Sequence, residues 1–276
     1  MKQRIVFVGG GNMATSLISG LRHASHPGDR ITVIEPDAAK RDDLAARYGV
    51  TALESASAEA LDAEVIVLAV KPQMMRDVAR GLTEYLPDTA PLVMSIAAGL
   101  PLSALRSWLG DSPAYVRTMP NTPSLIGAGA TGLYAGDDVS TEQRELAENI
   151  MASAGMTVWV AEEALLDAVI ATSGSGPAYF FAFMEAMMEG AQKLGLDAAD
   201  ARELVLHTAL GAARMAIESG DDPGTLRKNV TSPGGTTAEA LATFEAGDLN
   251  GLVHRAMKSA ADRADTLARE LSDRDA

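Results

Sequence analysis

The chain has 276 residues, 47% hydrophobic and 22% charged, the balance of a folded protein with room for a large core and typically two domains. A formal net charge of -14 argues against a nucleic-acid surface, which needs a basic patch. With no cysteine there is no disulfide framework and no thiolate ligand or nucleophile; with no long apolar run and no visible export signal, no membrane partner and a cytoplasmic location are expected.

Arg4-Ile5-Val6-Phe7-Val8 is apolar and rich in β-branched residues, so it predicts a buried strand. It runs straight into Gly9-Gly10-Gly11-Asn12-Met13-Ala14, and Leu17, Ile18 and Leu21 then follow a helical period. Strand, glycine turn and helix in that order are the context of a dinucleotide fingerprint, with Gly9, Gly11 and Ala14 at its three small positions. Ile31-Thr32-Val33-Ile34 predicts a second strand ending at Glu35. An acid there accepts the ribose 2′-OH of NADH and repels the 2′-phosphate of NADPH, while Lys40 and Arg41, one helical turn on, suit a phosphate. Glu35 could equally begin a turn and cap the next helix, so the choice of cofactor stays open, with a slight lean to NADH.

Glu64 to Val70 and Leu92 to Ile96 predict two more buried strands, the first ending in Ala69-Val70-Lys71-Pro72 and the second in Ala97-Ala98-Gly99. Ligands of open α/β sheets bind beyond the carboxyl ends of the strands, so both endings are expected to face the cofactor. Residues 130–145 read as surface loop and helix, without a functional role. Strand patterns end with Val158-Trp159-Val160, which sets the domain boundary near 161.

Beyond it the pattern is helical: 162–169, then a break at Gly174-Ser175-Gly176-Pro177, then 178–194, 198–219, 226–230, 236–246 and 249–271. The fold class is therefore α/β, a Rossmann-like domain over 1–161 followed by an all-α domain over 162–276. Met184, Met187, Met188 and Met215, with small residues such as Gly190 and Gly211, suit close helix packing in a dimer or in a plain bundle. His23, His26, His207 and His254 fit no metal-ligand spacing, and no metal is expected.

Ser232-Pro233-Gly234-Gly235-Thr236-Thr237 precedes a helical run. Pro233 stops the helix before it, and two glycines let a ligand approach the backbone. The threonines fall where helix-start amides are unpaired, so amides and hydroxyls can converge on a carboxylate. Such helix starts also explain how an acidic chain can hold anions.

These motifs, together with Met119-Pro120-Asn121-Thr122-Pro123, Ser173 to Tyr179 and Asn229 to Thr237, resemble the pyrroline-5-carboxylate reductases over essentially the whole chain. The resemblance implies hydride transfer from NADPH or NADH to the C=N of 1-pyrroline-5-carboxylate, giving L-proline. It implies a substrate site of Ser232, Gly234, Gly235, Thr236 and Thr237, with the Thr237 hydroxyl at the ring nitrogen and Glu163 nearby. It implies a cofactor site of Gly9, Gly10, Gly11, Asn12, Met13, Glu35, Ala69, Val70, Lys71, Pro72, Ala97 and Ala98, with Asn229 reaching the nicotinamide end. It also implies a homodimer with interleaved helical domains, assembled further into a ring of dimers. The substrate site would then need both subunits.

A β-hydroxyacid dehydrogenase would carry a lysine about a turn past Gly176, where this chain has Pro177 to Phe181. A non-catalytic NAD(P) sensor would have no use for the 232–237 turn. A reductase of a six-membered imine acid is not excluded by any residue.

Overall fold

A computed structural model describes residues 3–272. The predicted apolar runs form strands: β1 (Ile5–Val8) is buried along its length, and α1 (Asn12–His23) packs Leu17, Ile18 and Leu21 inward. β2 (Ile31–Ile34), α2 (Ala38–Tyr48), β3 (Thr51–Leu53), α3 (Ala58–Leu61) and β4 (Val65–Leu68) follow. Next come α4 (Pro72–Leu82), β5 (Leu92–Ser95), α5 (Leu102–Leu109) and β6 (Ala114–Met119). β7 (Gly129–Ala135), α6 (Thr141–Ala152) and β8 (Gly155–Trp159) complete the sheet.

Among the described residues, eight strands form one sheet in the order β3-β2-β1-β4-β5-β6-β7-β8, parallel except for the antiparallel β6–β7 pair. Alternate residues feed two cores: Phe7, Val33, Val67 and Met94 face one way, Val8, Ile66, Leu68 and Val93 the other. Both faces are covered, so the parallel strands read as continuous apolar runs. Val8 lies opposite Ile34 and Leu68, and Leu68 opposite Ser95. The chain therefore leaves β1, β2, β4 and β5 level with one another, and Gly9, Glu35, Ala69 and Ile96 share one edge.

The expectation of loop and helix over 130–145 is corrected. Residues up to Ala135 belong to β7, with Leu133 and Ala135 buried, and the helix begins only at Thr141. Pairing with β8 from Gly129 to Leu133, and with β6 from Gly132 on, overrides the weak strand propensity of a segment holding Gly129 and Gly132.

The helical part follows as α7 (Leu165–Val169), a π-helical turn over Ile170–Gly174, α8 (Gly176–Lys193) and α9 (Ala198–Glu218). α10 (Pro223–Asn229), α11 (Thr236–Ala246) and α12 (Leu249–Ser272) end it. The chain divides into two compact units: the first runs to Ser175 and resumes at Ser259, and the second is Gly176–Lys258. This division lies later than the change of pattern near 161. Leu166 and Ala171 are buried, and the Val169 side chain lies where a Cβ on Gly132 would stand, so α7 and the π turn belong with the sheet. The end of α12 joins the same unit, with Ala264 buried. No helix among the described residues is long and apolar enough to cross a membrane.

Candidate functional site

The first unit carries an anion cradle at the carboxyl edge of its sheet. Gly9 has a φ of +103°, and a Cβ there would stand 2.8 Å from the Ala69 carbonyl oxygen, so only glycine serves. Its N–H donates to the Ile34 carbonyl at 2.8 Å, and the Gly10 N–H donates to Glu35 Oε2 at 2.9 Å. Gly11 is the N-cap of α1, and no side chain caps that helix. A Cβ on Gly11 would meet nothing within 4 Å. Open space in front of unpaired first-turn amides, including those of Asn12 and Met13, is the environment a dinucleotide pyrophosphate needs, and these residues fit it. A cavity of about 400 Å³ adjoins the turn, lined by Gly10, Gly11, Asn12, Thr15, Lys40 and Arg47 among others.

Along the same edge, the Ala69 N–H donates to the Val8 carbonyl at 2.8 Å, and Val70 is half-buried. Lys71 is exposed at the N-cap of α4, with Pro72 at its first position. The Ala97 N–H donates to Ser95 Oγ at 3.3 Å. A smaller, largely apolar cavity of about 270 Å³ lies against Pro72, Ala98, Gly99, Ile170, Ser175 and Ala264. The sheet thus brings together the glycine turn and both strand endings that the sequence singled out.

Glu35 sits at that edge but faces inward. Its two oxygens accept the Gly10 and Asp37 N–H groups, and the cap of α2 is Asp37, whose carboxylate accepts the Lys40 N–H at 3.3 Å. Glu163 is also engaged. Its Oε1 accepts the Leu102 N–H at the start of α5 and Arg117 Nη1 from β6, both at 2.7 Å. Burial pushes the carboxyl of nearby Asp167 above its ordinary range. Arg117 opposes that rise, and Asp265 and Glu163 add to it.

In the second unit α10 ends at Asn229, which is exposed. Gly234 has a φ of +69°, and the Gly235 N–H donates to the Ser232 carbonyl at 3.0 Å. Gly235 is the N-cap of α11 and makes no side-chain capping bond. The first amides of α11, those of Thr236, Thr237 and Ala238, therefore lack an intrahelical acceptor. Thr237 is half-buried, whereas Ser232, Gly234 and Thr236 are exposed.

Two contacts around the site escaped the sequence reading, although Asn121 stood in one of its motifs. Asn121, buried between two prolines, donates to the Ser173 carbonyl at 2.9 Å and accepts the Ala130 N–H at 2.9 Å, tying the start of β7 to the π turn. Arg117 is a charge inside a buried strand, which by itself announces a partner elsewhere in the chain. Among the described residues no cluster of three or more His, Asp or Glu side chains could hold a metal ion.

Comparison with known proteins is consistent along the whole chain. Residues 163–267 match the family model for pyrroline-5-carboxylate reductase dimerisation, and residues 4–99 match the one for NADP oxidoreductase, coenzyme F420-dependent. A pyrroline-5-carboxylate reductase of Pseudomonas aeruginosa is 46% identical over 97% of this chain and 98% of its own. That of Escherichia coli is 36% identical over 98% and 100%. The solved pyrroline-5-carboxylate reductase of Coxiella burnetii superposes with a TM-score of 0.93 at 42% identity, covering 97% of this chain and 99% of its own. A Plasmodium falciparum pyrroline carboxylate reductase with NADP bound gives 0.83 at 27%, covering 97% and 98%.

Proposed function

Starting from the fact that this chain belongs to the pyrroline-5-carboxylate reductase family, we propose how its own residues divide the reaction. The enzyme is an NAD(P)H-dependent oxidoreductase that reduces the C=N of 1-pyrroline-5-carboxylate to L-proline, the last step of proline biosynthesis. When bound, the reduced nicotinamide supplies a hydride to the imine carbon.

The uncapped start of α11 carries the assignment of substrate residues. Its amides, with the Ser232 hydroxyl and the close backbone of Gly234 and Gly235, take the substrate carboxylate. The Thr237 hydroxyl then hydrogen-bonds the ring nitrogen. Reduction needs one proton on that nitrogen as well as the hydride on carbon. A threonine hydroxyl is too weak an acid to drive protonation, so the proton comes from water and Thr237 orients the nitrogen that receives it. Alignment of the reacting carbons supplies most of the rate.

Gly9 to Met13 hold the pyrophosphate, and Ala69 to Pro72 with Ala97 and Ala98 form the wall along the cofactor. Asn229 serves the nicotinamide end. Glu163 supports the substrate region with Oε2, since Oε1 is committed to Arg117 and Leu102. We assign the cofactor role to 1–161 and the dimerisation and substrate role to 162–276. The dimer interleaves its helices and assembles into a ring of dimers, its other partners are small molecules, and its compartment is the cytoplasm.

The test is oxidation of NADPH and NADH with 1-pyrroline-5-carboxylate by the wild type and Thr237→Ala. The variant is expected to lose about 10²-fold in kcat/KM while keeping its melting temperature, the scale of a lost catalytic hydrogen bond and alignment. Unchanged kcat and KM would remove Thr237 from the mechanism.

A further inference from the structure

The segment from the end of β2 into α2 carries two acids and two cations within seven residues. Asp37 borders the cavity and caps α2 by accepting the Lys40 N–H, and the structure gives Glu35, Lys40 and Arg41 three other tasks. The Glu35 carboxylate accepts the Gly10 N–H at 2.9 Å and the Asp37 N–H at 3.0 Å, and its side chain is only 9% exposed. Arg41 turns its guanidinium back onto the carbonyls of Glu35 and Pro36, at 2.8 and 2.7 Å, and stands 3.8 Å from Glu54. Neither residue lines the cavity beside the glycine turn. Lys40 does: its side chain is 52% exposed, and its ammonium lies 3.9 Å from Glu35 Oε1. Arg47 also borders the cavity, but Asp43 and the Tyr48 hydroxyl hold it, each at 2.9 Å.

Resting on the NAD(P)H reading above, we propose that Lys40 is the residue that reads the charge at the 2′ position of the adenosine ribose. An acid at the end of β2 ordinarily excludes a 2′-phosphate by repulsion. Here the ammonium neutralises Glu35 and, on its long flexible stem, is free to pair with the phosphate. Without a phosphate it stays with Glu35, whose bonds to Gly10 and Asp37 keep the glycine turn in shape for either cofactor. Arg41 holds the turn between β2 and α2 and does not discriminate. Sequence spacing offered Lys40 and Arg41 as equals, and the guanidinium's commitment to two carbonyls separates them.

The experiment is calorimetric titration of the full-length protein with 2′,5′-ADP and with 5′-AMP, for the wild type, Lys40→Ala, Lys40→Arg and Arg41→Ala. Lys40→Ala should weaken 2′,5′-ADP about tenfold, as for one lost charge-assisted contact, and 5′-AMP by less than about twofold. Lys40→Arg should restore the phosphate preference, and Arg41→Ala should change both affinities by the same factor. The ratio of kcat/KM for NADPH to that for NADH should fall with the 2′,5′-ADP affinity. Equal losses for both nucleotides in Lys40→Ala, no loss for either, or a selective loss in Arg41→Ala would overturn the role of Lys40. A wild type that binds neither nucleotide would overturn the cofactor site itself, which separates the two failures.

Discussion

In the first unit Phe7, Leu17, Ile66 and Leu92 are fully buried, whereas in the second Phe180 is 69% exposed and Leu210 59%. Phe181, Leu204 and Met215 are also more than half exposed. Burying a side chain of this size stabilises by about 1.5–3 kcal/mol, so five of them left outside forgo on the order of 10 kcal/mol. α8 and α9 pack on one another, and Phe183 meets Phe244 with ring centroids 6.1 Å apart, yet most of the apolar surface of these helices stays uncovered. The first unit completes its own core. The second lies within the stretch that matches the dimerisation model, and its uncovered apolar face is the kind of surface that oligomerisation covers. Helical periodicity says that a face will be buried, and it is silent on whether the cover comes from the same chain.

Charges on that face are the strongest way to break the contrast. Phe180→Asp combined with Leu210→Asp is expected to give a monomer in sedimentation and to lower kcat/KM by more than about 100-fold, because hot-spot apolar side chains dominate such interfaces. Leu17→Ala in the first unit should instead cost about 2–5 kcal/mol at every protein concentration and leave the dimer intact. A double variant that stays dimeric and active would show that the exposed face is ordinary surface.

The ion pair in the first unit sharpens the same contrast on a smaller scale. Glu163→Ala leaves Arg117 buried without its carboxylate and the Leu102 N–H without its acceptor. The expected loss is about 1–3 kcal/mol, below the range for a fully buried pair because Glu163 is partly exposed. Urea denaturation at two protein concentrations checks it. The same loss at both is the expected result, and a loss confined to low concentration would tie Glu163 to the dimer contact instead.

What could be read from the sequence follows how local each feature is. β1, β2, β4 and β5 announce themselves because strands buried on both faces are unbroken apolar runs. β7 does not, since Gly129-Ala130-Thr131-Gly132 has neither bulk nor alternation, and it is a strand because β8 pairs with it along that stretch while β6 pairs with the residues from Gly132 on. The glycine turns and the start of α11 were legible because their chemistry lies in consecutive backbone groups. The Arg117–Glu163 and Asn121–Ser173 contacts were not, because their partners lie 46 and 52 residues apart. Each left half a trace: a charge in an apolar strand, and an amide set between two prolines. The division at Ser175 was hidden for a related reason, since α7 looks amphipathic whichever unit it packs on.

Asp167 gives the smallest effect and the finest test of how self-contained the first unit is. Burial raises its pKa; Arg117 of β6 pulls the other way, and Asp265 of α12 and Glu163 push it further up. A carboxyl with a raised folded pKa binds more protons folded than unfolded, so it favours the folded state most at pH below its unfolded value. That contribution is lost as pH climbs from the ordinary aspartate range through the raised value. Asp167→Asn should therefore flatten the melting profile just above pH 4 and leave the variant slightly more stable than the wild type at pH 7. Melting temperatures of both proteins from pH 4 to 7 decide the matter. Parallel profiles would mean that Arg117 already balances the three carboxylates. A gap that widens with pH and does not depend on protein concentration would place the strain inside the first unit, where the end of α12 brings Asp265 to the charge already held by β6 and α7.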